Sequence, residues 1–247
     1  MKTVQVRFLG TGDAFGHGGR LQTCILIQTT RHRILIDFGA SAMISLYRYG
    51  VDPNSIDLIL LTHLHGDHFG GLPFFILDAQ LISKRFHPLT IVGPIGSRER
   101  IMAAMEVMFP GSSKVKQKFD INIYELEAEQ VWDSRGIKVV PYPVIHPSGD
   151  PSFALRVECD GRSIAYTGDT EWAEALIPAA RGADLLIAEA YFYEKQIKYH
   201  LNFKTLMDHM EKLNPKRLII THMSQDMLDR LEHIEIESAY DGMVVEI

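Results

Sequence analysis

Three histidines and one aspartate lie within six residues and directly follow an apolar segment; they are His63, His65, Asp67 and His68. One residue separates His63 from His65, so in an extended segment both imidazoles can turn to the same side. Gly66 relaxes the backbone that follows, which lets Asp67 and His68 face a second point nearby. Imidazole and carboxylate groups are ligands of zinc and other borderline divalent metals. The spacing therefore predicts a metal site at the end of a strand.

This pattern resembles the metallo-β-lactamase superfamily, whose signature is His-x-His-x-Asp-His. The resemblance implies further ligands after later apolar segments, and His146, Asp169 and His222 stand at such positions. It also implies how the ligands divide between two metal ions: His63, His65 and His146 would hold the first, Asp67, His68 and His222 the second, and Asp169 would bridge them. Asp37 matches an early aspartate of the superfamily, which would orient the histidine loop from outside the ligand set.

Two divalent ions, with zinc expected and manganese as the alternative, would be the cofactors of such a site. Ions about 3.5–4 Å apart lower the pKa of a water between them and stabilise the charge that develops when the resulting hydroxide attacks. Because every ligand that the resemblance requires is present, we expect a working hydrolase. The alternative from a different class is a non-catalytic, metal-dependent sensor, which would bind a nucleotide without cleaving it.

Features outside the ligands resemble the ribonuclease Z branch of the superfamily. They are a Gly-Leu-Pro that starts at Gly71, Thr170 directly after the bridging aspartate, a glutamate at a strand end, Glu189, and a downstream histidine, His200. The resemblance implies that His200 donates a proton to the leaving oxygen, and Glu189 would orient its imidazolium. The match is partial, because Leu201 and Asn202 stand where that branch has serine and threonine. The predicted catalytic residues are Asp67, His200 and Glu189.

The chain departs from ribonuclease Z in the stretch between His146 and Asp169. Bacterial tRNA-processing members carry a long protruding arm there, whereas residues 153–166 of this chain are filled by a predicted hairpin. Without the arm, the sequence is similar to small cyclic-nucleotide phosphodiesterases, among them the anti-Pycsar enzymes that degrade cyclic pyrimidine nucleotides. We therefore predict hydrolysis of small nucleotide phosphodiesters, above all 3′,5′-cyclic nucleotides, by hydroxide attack on phosphorus. The alternatives are RNA 3′-end processing and hydrolysis of carbon esters, thioesters or sulfate esters.

A glycine-rich loop over residues 10–20 is the predicted substrate-binding segment. Its glycines allow close approach of the backbone. Arg20 could pair with a phosphate, and Phe15 or His17 could stack on a base. The alternative is that this loop is only a tight connection between strands.

Apolar and β-branched segments that predict strands precede most of these residues. Strands are expected at 4–9, 24–28, 34–36, 58–61, 90–92, 121–126, 137–140, 153–157, 164–166, 185–188 and 218–220. Helical spacing predicts helices at 41–49, 73–83, 98–109, 174–181, 203–213 and 227–231. Asp160-Gly161 between two strands is a hairpin signal. The mixture and the resemblance together predict an α/β protein, an αββα sandwich formed by a single domain over residues 1–247.

Composition limits the partners of the protein. Lys and Arg number 25 against 31 Asp and Glu, a formal charge of −6, so no stable nucleic-acid complex is expected. No apolar run is long enough to span a membrane. Two cysteines are too few for a disulfide framework and no signal peptide is visible, so we expect a cytoplasmic protein. One side of a predicted helix is a candidate homodimer surface, formed by Ile101, Met102, Met105 and Phe109.

Overall fold

The computed structural model describes residues 3–148 and 151–247, which form two β-sheets packed face to face with helices on their outer sides. In these residues the first sheet holds seven strands: β1 (Gln5–Gly10), β2 (Cys24–Gln28), β3 (Arg33–Ile36), β4 (Leu58–Leu60), β5 (Leu89–Pro94), β6 (Ile121–Leu126) and β14 (Val244–Glu246). The second sheet there also holds seven: β7 (Trp132–Ser134), β8 (Ile137–Val144), β9 (Ser152–Cys159), β10 (Arg162–Tyr166), β11 (Leu185–Glu189), β12 (Leu218–Thr221) and β13 (Glu237–Ser238).

Each sheet combines antiparallel and parallel neighbours. The first has the order β14-β1-β2-β3-β4-β5-β6, in which β3 to β6 are parallel. The second has the order β13-β12-β11-β10-β9-β8-β7, in which β10 to β13 are parallel. Functional groups of open α/β sheets collect beyond the carboxyl ends of parallel strands. Residues that directly follow β4, β10 and β12 are therefore placed to form a site.

The helices lie in the segments that connect the strands. Across the two described ranges they are α1 (Ala42–Arg48), α2 (Gly66–Phe69), α3 (Leu72–Leu81), α4 (Ser97–Met108), α5 (Leu176–Ala180), α6 (Phe203–Asp208), α7 (Met210–Leu213) and α8 (Gln225–Leu228). Short 3₁₀ turns occupy His17–Gly19, Pro53–Ser55, Ser112–Lys114 and Leu231–His233. No helix in these ranges is long and apolar enough to cross a bilayer.

Three buried clusters define the order of the layers. The first fills the space between the two sheets and includes Phe153 and Tyr166. The second packs the first sheet against α1, α3 and α4, with Phe75 and Ile101 among its members. The third packs the second sheet against the later helices through residues such as Leu206. The predicted αββα sandwich is confirmed.

Strand β8 is longer than the sequence predicts and continues past residue 140 to Val144. Pro141 and Pro143 lie beyond the part of β8 that pairs with β7, and they pair only with β9. The carbonyl of Pro141 accepts a hydrogen bond from the N–H of Glu129, so this residue faces away from β9. The missing proline donor thus falls on a side without a strand neighbour, where proline is tolerated in a sheet.

Three edge strands are absent from the sequence prediction: β7, β13 and β14. They contain only two or three residues each, too few for an alternating pattern to be visible. The hairpin turn predicted between β9 and β10 is confirmed. Asp160 and Gly161 have φ angles of 47° and 78°, and two positive φ values in succession are typical of a type I′ turn.

The helix expected over residues 203–213 is divided at His209 into α6 and α7. The His209 ring nitrogen Nδ1 donates to the carbonyl of Thr205 at 2.8 Å, and the backbone N–H of His209 turns to Leu206. The side chain therefore takes the place of the regular backbone bond at this point. Asn202 caps the start of α6, since its side-chain oxygen accepts the N–H of Thr205 at 2.8 Å.

The apolar side of α4 packs inside the protein, so its predicted role as a homodimer surface is wrong. Ile101 and Met105 are buried in the second cluster, and Met102 packs partly against it. The ring of Phe109 meets that of Phe74 on α3, with centroids 5.2 Å apart. These side chains serve the core of a single chain.

Candidate active site

The segment after β4 delivers four side chains to the edge of the first sheet. His63 and His65 come first, and the single helical turn α2 then begins at Gly66. Gly66 is helical and has room for a Cβ, so the helical turn itself, and not a conformation reserved for glycine, turns Asp67 and His68 inward. His63, Asp67 and His68 are all buried.

Three histidines from both sheets form a first group. The Nε2 atom of His146, which follows β8, lies 3.0 Å from Nδ1 of His65. The ring centroid of His63 lies 4.7 Å from that of His146 and 5.1 Å from that of His65. One nitrogen from each of the three lies within 4.8 Å of the others. The structure therefore brings together the set predicted for one ion.

Two histidines and two aspartates form a second group. The Nε2 atom of His68 lies 3.3 Å from Oδ2 of Asp67 and 3.3 Å from Oδ1 of Asp169. The Nε2 atom of His222, which follows β12, lies 3.3 Å from Oδ2 of Asp67 and 3.5 Å from Oδ2 of Asp169. The members of the set predicted for the other ion are thus also within reach of one another.

Asp169 lies between the two groups. Its Oδ2 atom is 3.5 Å from Nε2 of His222 in the second group and 3.9 Å from Nε2 of both His63 and His146 in the first. Its side chain is buried and follows β10. A carboxylate at this position can contact ions held by both groups, as expected for a bridging ligand.

The donor atoms of the two groups fit divalent cations. Three of the imidazoles are held at their other nitrogen, Nδ1: His63 by the Thr62 hydroxyl (2.9 Å), His68 by the Asp37 carboxylate (2.7 Å) and His146 by the Tyr199 carbonyl (2.8 Å). Such bonds fix the tautomer and aim Nε2 inward. The buried Nε2 atoms of His63 and His68 and the Oδ1 atom of Asp169 have no hydrogen-bond partner among the described residues. Buried polar atoms are normally paired, and this nitrogen and oxygen set is one that zinc binds.

Four carboxylates are buried around the centre: Asp37, Asp67, Asp169 and Glu189. Burial favours neutral His63, whose pKa lies well below its usual range, and the neighbouring His68 contributes to this shift. The pKa of His222 shifts in the opposite direction. Burial lowers it, but the nearby Asp169, Asp67 and Glu189 outweigh burial and raise this pKa to about 10. So much buried negative charge is stabilised by bound cations.

Two non-glycine residues of the site have a left-handed backbone. Asp37, directly after β3, has a φ of 57°, and its carboxylate accepts the N–H and the hydroxyl of Thr62, each at 2.8 Å. His222 has a φ of 55°, and its N–H donates to the carbonyl of Thr11 at 3.2 Å. Such conformations cost energy and concentrate at functional sites. The contacts of Asp37 match its expected orientation of the histidine loop.

His200 and Glu189 form a hydrogen-bonded pair beside the second group. Nδ1 of His200 bonds to Oε1 of Glu189, and Oε2 of Glu189 accepts the N–H groups of Thr170 and Leu201, each at 3.0 Å. Glu189 is fully buried, whereas 22% of the His200 side chain is exposed. Burial opposes protonation of His200, but Glu189 and Asp169 outweigh it and raise its pKa. A protonated and partly exposed imidazole beside the centre can act as a general acid.

A cavity of about 210 Å³ opens beside His200. Its walls include Trp172, Gln196 and Asn202. The indole of Trp172 stacks on the ring of His209, with centroids 3.7 Å apart, and this contact holds it in place. The cavity is smaller than the roughly 300–1,000 Å³ of sites that enclose drug-sized ligands. It therefore suits a single ring system.

The predicted substrate loop is partly occupied by contacts within the protein. Arg20 donates from Nη1 to the carbonyl of Ala239 at 2.5 Å, and Nδ1 of His17 bonds to Oδ2 of Asp13 at 2.6 Å. Phe15 is 78% exposed and lines an open depression together with Arg20. The substrate-binding role of Phe15, His17 and Arg20 stays a prediction.

Asp13 and Tyr191 also belong to this region, although no sequence motif marks either residue. Tyr191 stacks on His200 with centroids 4.6 Å apart, and its hydroxyl donates to Asp13 at 3.2 Å. The two residues are 178 positions apart in the chain. A contact between single residues at that separation leaves no motif and no periodic pattern to detect.

Comparison with known proteins decides the family. The sequence profile of the anti-Pycsar protein Apyc1 family matches residues 4–240. The chain belongs to this family. The matched range contains every predicted metal ligand as well as Glu189 and His200.

Ribonuclease Z enzymes are also similar to this Apyc1-family protein. The ribonuclease Z of Geobacillus kaustophilus is 27% identical, over 90% of this chain and 88% of that enzyme. Their alignment spans 279 positions, more than the 247 residues of this chain, so the enzyme carries inserted residues that this chain lacks.

Solved structures share the fold over nearly the whole chain. The metallo-β-lactamase fold protein YhfI from Bacillus subtilis has a TM-score of 0.80 at 22% identity and covers 99% of this chain and 100% of its own. The short form of human tRNase Z has a TM-score of 0.79 at 28% identity and covers 98% of each chain. Fold, family and side-chain groups together identify this Apyc1-family protein as a metal-dependent hydrolase of the metallo-β-lactamase superfamily, with a ribonuclease Z-like core.

Proposed function

We propose that the protein hydrolyses small nucleotide phosphodiesters, above all 3′,5′-cyclic nucleotides. The observation that carries this proposal is the His200–Glu189 pair beside the two groups of metal-capable side chains. Cleavage of such a diester expels an alkoxide, which needs a proton from a general acid. Membership of the anti-Pycsar protein Apyc1 family and the similarity to ribonuclease Z both support phosphodiester chemistry.

Each group of the centre has a separate task in the proposal. The ligands are those expected from the sequence: His63, His65 and His146 for one ion, Asp67, His68 and His222 for the other, and Asp169 between them. When bound, the ions supply the activation of water and the charge neutralisation that attack on phosphorus needs. Glu189 holds the protonated imidazole of His200 at Nδ1. His200 then transfers its proton to the departing 3′ or 5′ oxygen as the P–O bond breaks.

The cavity beside His200 is the proposed subsite for the nucleoside. Because His200 forms part of its wall, a ring that enters it stays next to the residue that protonates the leaving oxygen. Trp172 is the stacking platform of this subsite, and stacking of one base on an aromatic ring contributes about 1–3 kcal/mol. Phe15 and Arg20 line a second depression and are proposed to contact substrate there, with His17 in the same loop.

RNA 3′-end processing is the second candidate, because ribonuclease Z enzymes align with nearly the whole chain. Two observations favour the smaller substrate. The segment before Asp169 consists of the β9–β10 hairpin, and the aligned enzyme of Geobacillus kaustophilus has residues that this chain lacks. The formal charge of −6 also disfavours tight binding of a folded RNA. Hydrolysis of a carbon ester, a thioester or a sulfate ester is the third candidate, of which the thioester predicts little dependence on His200, because a thiolate leaves without a proton.

A substrate panel separates these candidates. The purified, metal-loaded protein is incubated with 3′,5′-cyclic nucleotides, bis-p-nitrophenyl phosphate, precursor tRNA and a carbon-ester set. We expect cleavage of a cyclic nucleotide, and His200→Ala should lower its turnover by about 10²–10⁴-fold. His233→Ala, which changes an exposed histidine in a 3₁₀ turn, is the matched control and should change nothing. Faster cleavage of precursor tRNA would replace the proposal by the second candidate, and hydrolysis of carbon esters alone would replace it by the third.

The proposal extends to metal, assembly and location. Zinc is the proposed ion, with manganese as the alternative, because histidine nitrogens dominate the donor set. A homodimer and a cytoplasmic location are proposed as well, and no stable nucleic-acid complex is expected. Elemental analysis of the purified protein and sedimentation velocity test the metal and the dimer.

A further inference from the structure

The loop predicted to bind substrate is linked to the proposed proton donor by a chain of contacts. Asp13 is fully buried. Its Oδ1 accepts the N–H of His17 at 3.1 Å, and its Oδ2 bonds to Nδ1 of His17 at 2.6 Å and accepts the hydroxyl of Tyr191 at 3.2 Å. A buried carboxylate with these three contacts has a fixed position, so the outer end of the Tyr191 ring is fixed too.

The ring of Tyr191 covers one face of the His200 imidazole. Their centroids are 4.6 Å apart and their planes differ by 28°. The ring of His146 meets His200 at 77° and 5.2 Å, and the ring of His222 lies parallel to it at 6.1 Å. Aromatic rings therefore limit the tilt of His200 from several directions.

The hydrogen bond to Glu189 does not by itself fix the direction of His200. A single bond at Nδ1 leaves the imidazole free to swing about that contact, and such a swing displaces Nε2. The Tyr191 ring blocks this motion on the face that it covers. We propose that Tyr191, held by Asp13, is a positioning residue that aims Nε2 of His200 at the leaving oxygen. This inference rests on the proposed phosphodiesterase activity.

Two diesters that differ only in the leaving group provide the test: thymidine 5′-phenyl phosphate and thymidine 5′-(p-nitrophenyl) phosphate. p-Nitrophenolate departs readily without a proton, whereas phenolate depends more on the general acid. Tyr191→Leu is expected to lower kcat for the phenyl ester by about tenfold, a fraction of the whole general-acid effect, and to change kcat for the p-nitrophenyl ester by less than about twofold. A loss that came only from damaged packing would affect both esters alike.

Three further variants sharpen the test. Tyr191→Phe keeps the ring but removes the bond to Asp13, so it should show a smaller loss that is again confined to the phenyl ester. Asp13→Asn should behave in the same way. Tyr193→Leu is the matched control, because this tyrosine stacks on Phe203, 5.6 Å away, and should leave the ratio of the two rates unchanged. Circular dichroism and zinc content show that each variant is folded and loaded.

A double variant completes the design. In the His200→Ala background, Tyr191→Leu should cause no further loss on the phenyl ester, because residues that act through one another are not additive. Equal losses on both esters, or additive losses in the double variant, would overturn the inference. If Tyr191→Leu does not fold, Tyr191→Phe and Asp13→Asn decide by the same ratio. A wild-type protein that cleaves neither ester and no 3′,5′-cyclic nucleotide would overturn the proposed function itself. If the wild type cleaves only a cyclic nucleotide, the double variant decides the inference on that substrate, and additive losses would overturn it.

Discussion

Replacement of Asp37 by asparagine should weaken the binding of one metal ion more than that of the other. The Asp37 carboxylate accepts the N–H and the hydroxyl of Thr62 at 2.8 Å and Nδ1–H of His68 at 2.7 Å. Asparagine keeps a carbonyl for the N–H of Thr62 and tolerates the φ of 57°, so the backbone is not strained. Its amide N–H₂ would face Nδ1 of His68, which must then accept. The His68 proton moves to Nε2, the atom that points at the centre.

The expected loss can be estimated from this change of tautomer. Changing the hydrogen-bond partner of a metal-binding histidine costs about 10–100-fold in metal affinity, or about 1.4–2.7 kcal/mol. The loss should be larger for the ion held by Asp67, His68 and His222, because His68 bonds to Asp37 directly, whereas His63 is linked to Asp37 only through the Thr62 hydroxyl. Calorimetric titration of the metal-free protein with zinc should show two sites in both proteins. In Asp37→Asn, one of these two sites should bind zinc more weakly than in the wild type.

The matched control is Asp57→Asn. Asp57 is a partly exposed aspartate that accepts the backbone N–H of Arg33 at 2.9 Å, and it belongs to neither metal-capable group. We expect both zinc affinities to be unchanged in this variant. Two unweakened sites in Asp37→Asn would refute the assignment of His68 orientation to Asp37, and equal weakening of both sites would refute the division into two groups.

Three further predictions concern the metal, the loop packing and the core. The protein should take up protons when its metal is stripped at pH 7, because Asp169, Asp67 and Glu189 outweigh burial and raise the pKa of His222 to about 10. Metal affinity should therefore fall as the pH is lowered from 10 to 7. Calorimetry of metal binding in two buffers of different ionisation enthalpy checks this, and equal binding enthalpies in both would contradict it. Gly39→Ala should lower zinc affinity by about tenfold, because the added Cβ would lie 2.3 Å from the backbone oxygen of Asp67. Gly66→Ala should leave zinc affinity unchanged, because a Cβ there meets open space, and equal affinities in the two variants would contradict the prediction. Arg85→Met should lower the free energy of unfolding by at least about 3 kcal/mol, because the buried guanidinium donates to five backbone carbonyls that would lose this donor. Urea unfolding measures the change, and a loss below about 1 kcal/mol would contradict the prediction.

The grouping of the metal-capable residues could be predicted because each follows a strand. His63, Asp169 and His222 come directly or within three residues after β4, β10 and β12, and His146 follows β8. Their side chains are placed by strand ends, which local apolar patterns reveal. The resemblance to a known superfamily then supplies the division into two groups, and the structure brings the same sets together.

The parts that could not be predicted depend on single contacts between distant residues. The Asp13–Tyr191 bond joins two loops, and the bond between Asp13 and His17, for which stacking on a base is predicted, has no signal in the sequence either. The break of the helix at His209 comes from one side-chain bond to Thr205, which competes with a backbone bond of similar strength. Helical periodicity continues across such a break, so a pattern-based prediction cannot detect it.

The pairing of β14 with β1 has a consequence for biosynthesis. Gln5 faces Glu246 across this pair, so the first sheet is completed only after the last strand has been made. Asp241, just before β14, holds both the N–H and the hydroxyl of Thr11, and the carbonyl of Thr11 in turn accepts the N–H of His222. On a ribosome that synthesises about 5–20 residues per second, these contacts form after those between the preceding strands of the first sheet. We therefore expect metal to be acquired only after β14 has left the ribosome and paired with β1, so the nascent protein remains inactive until then.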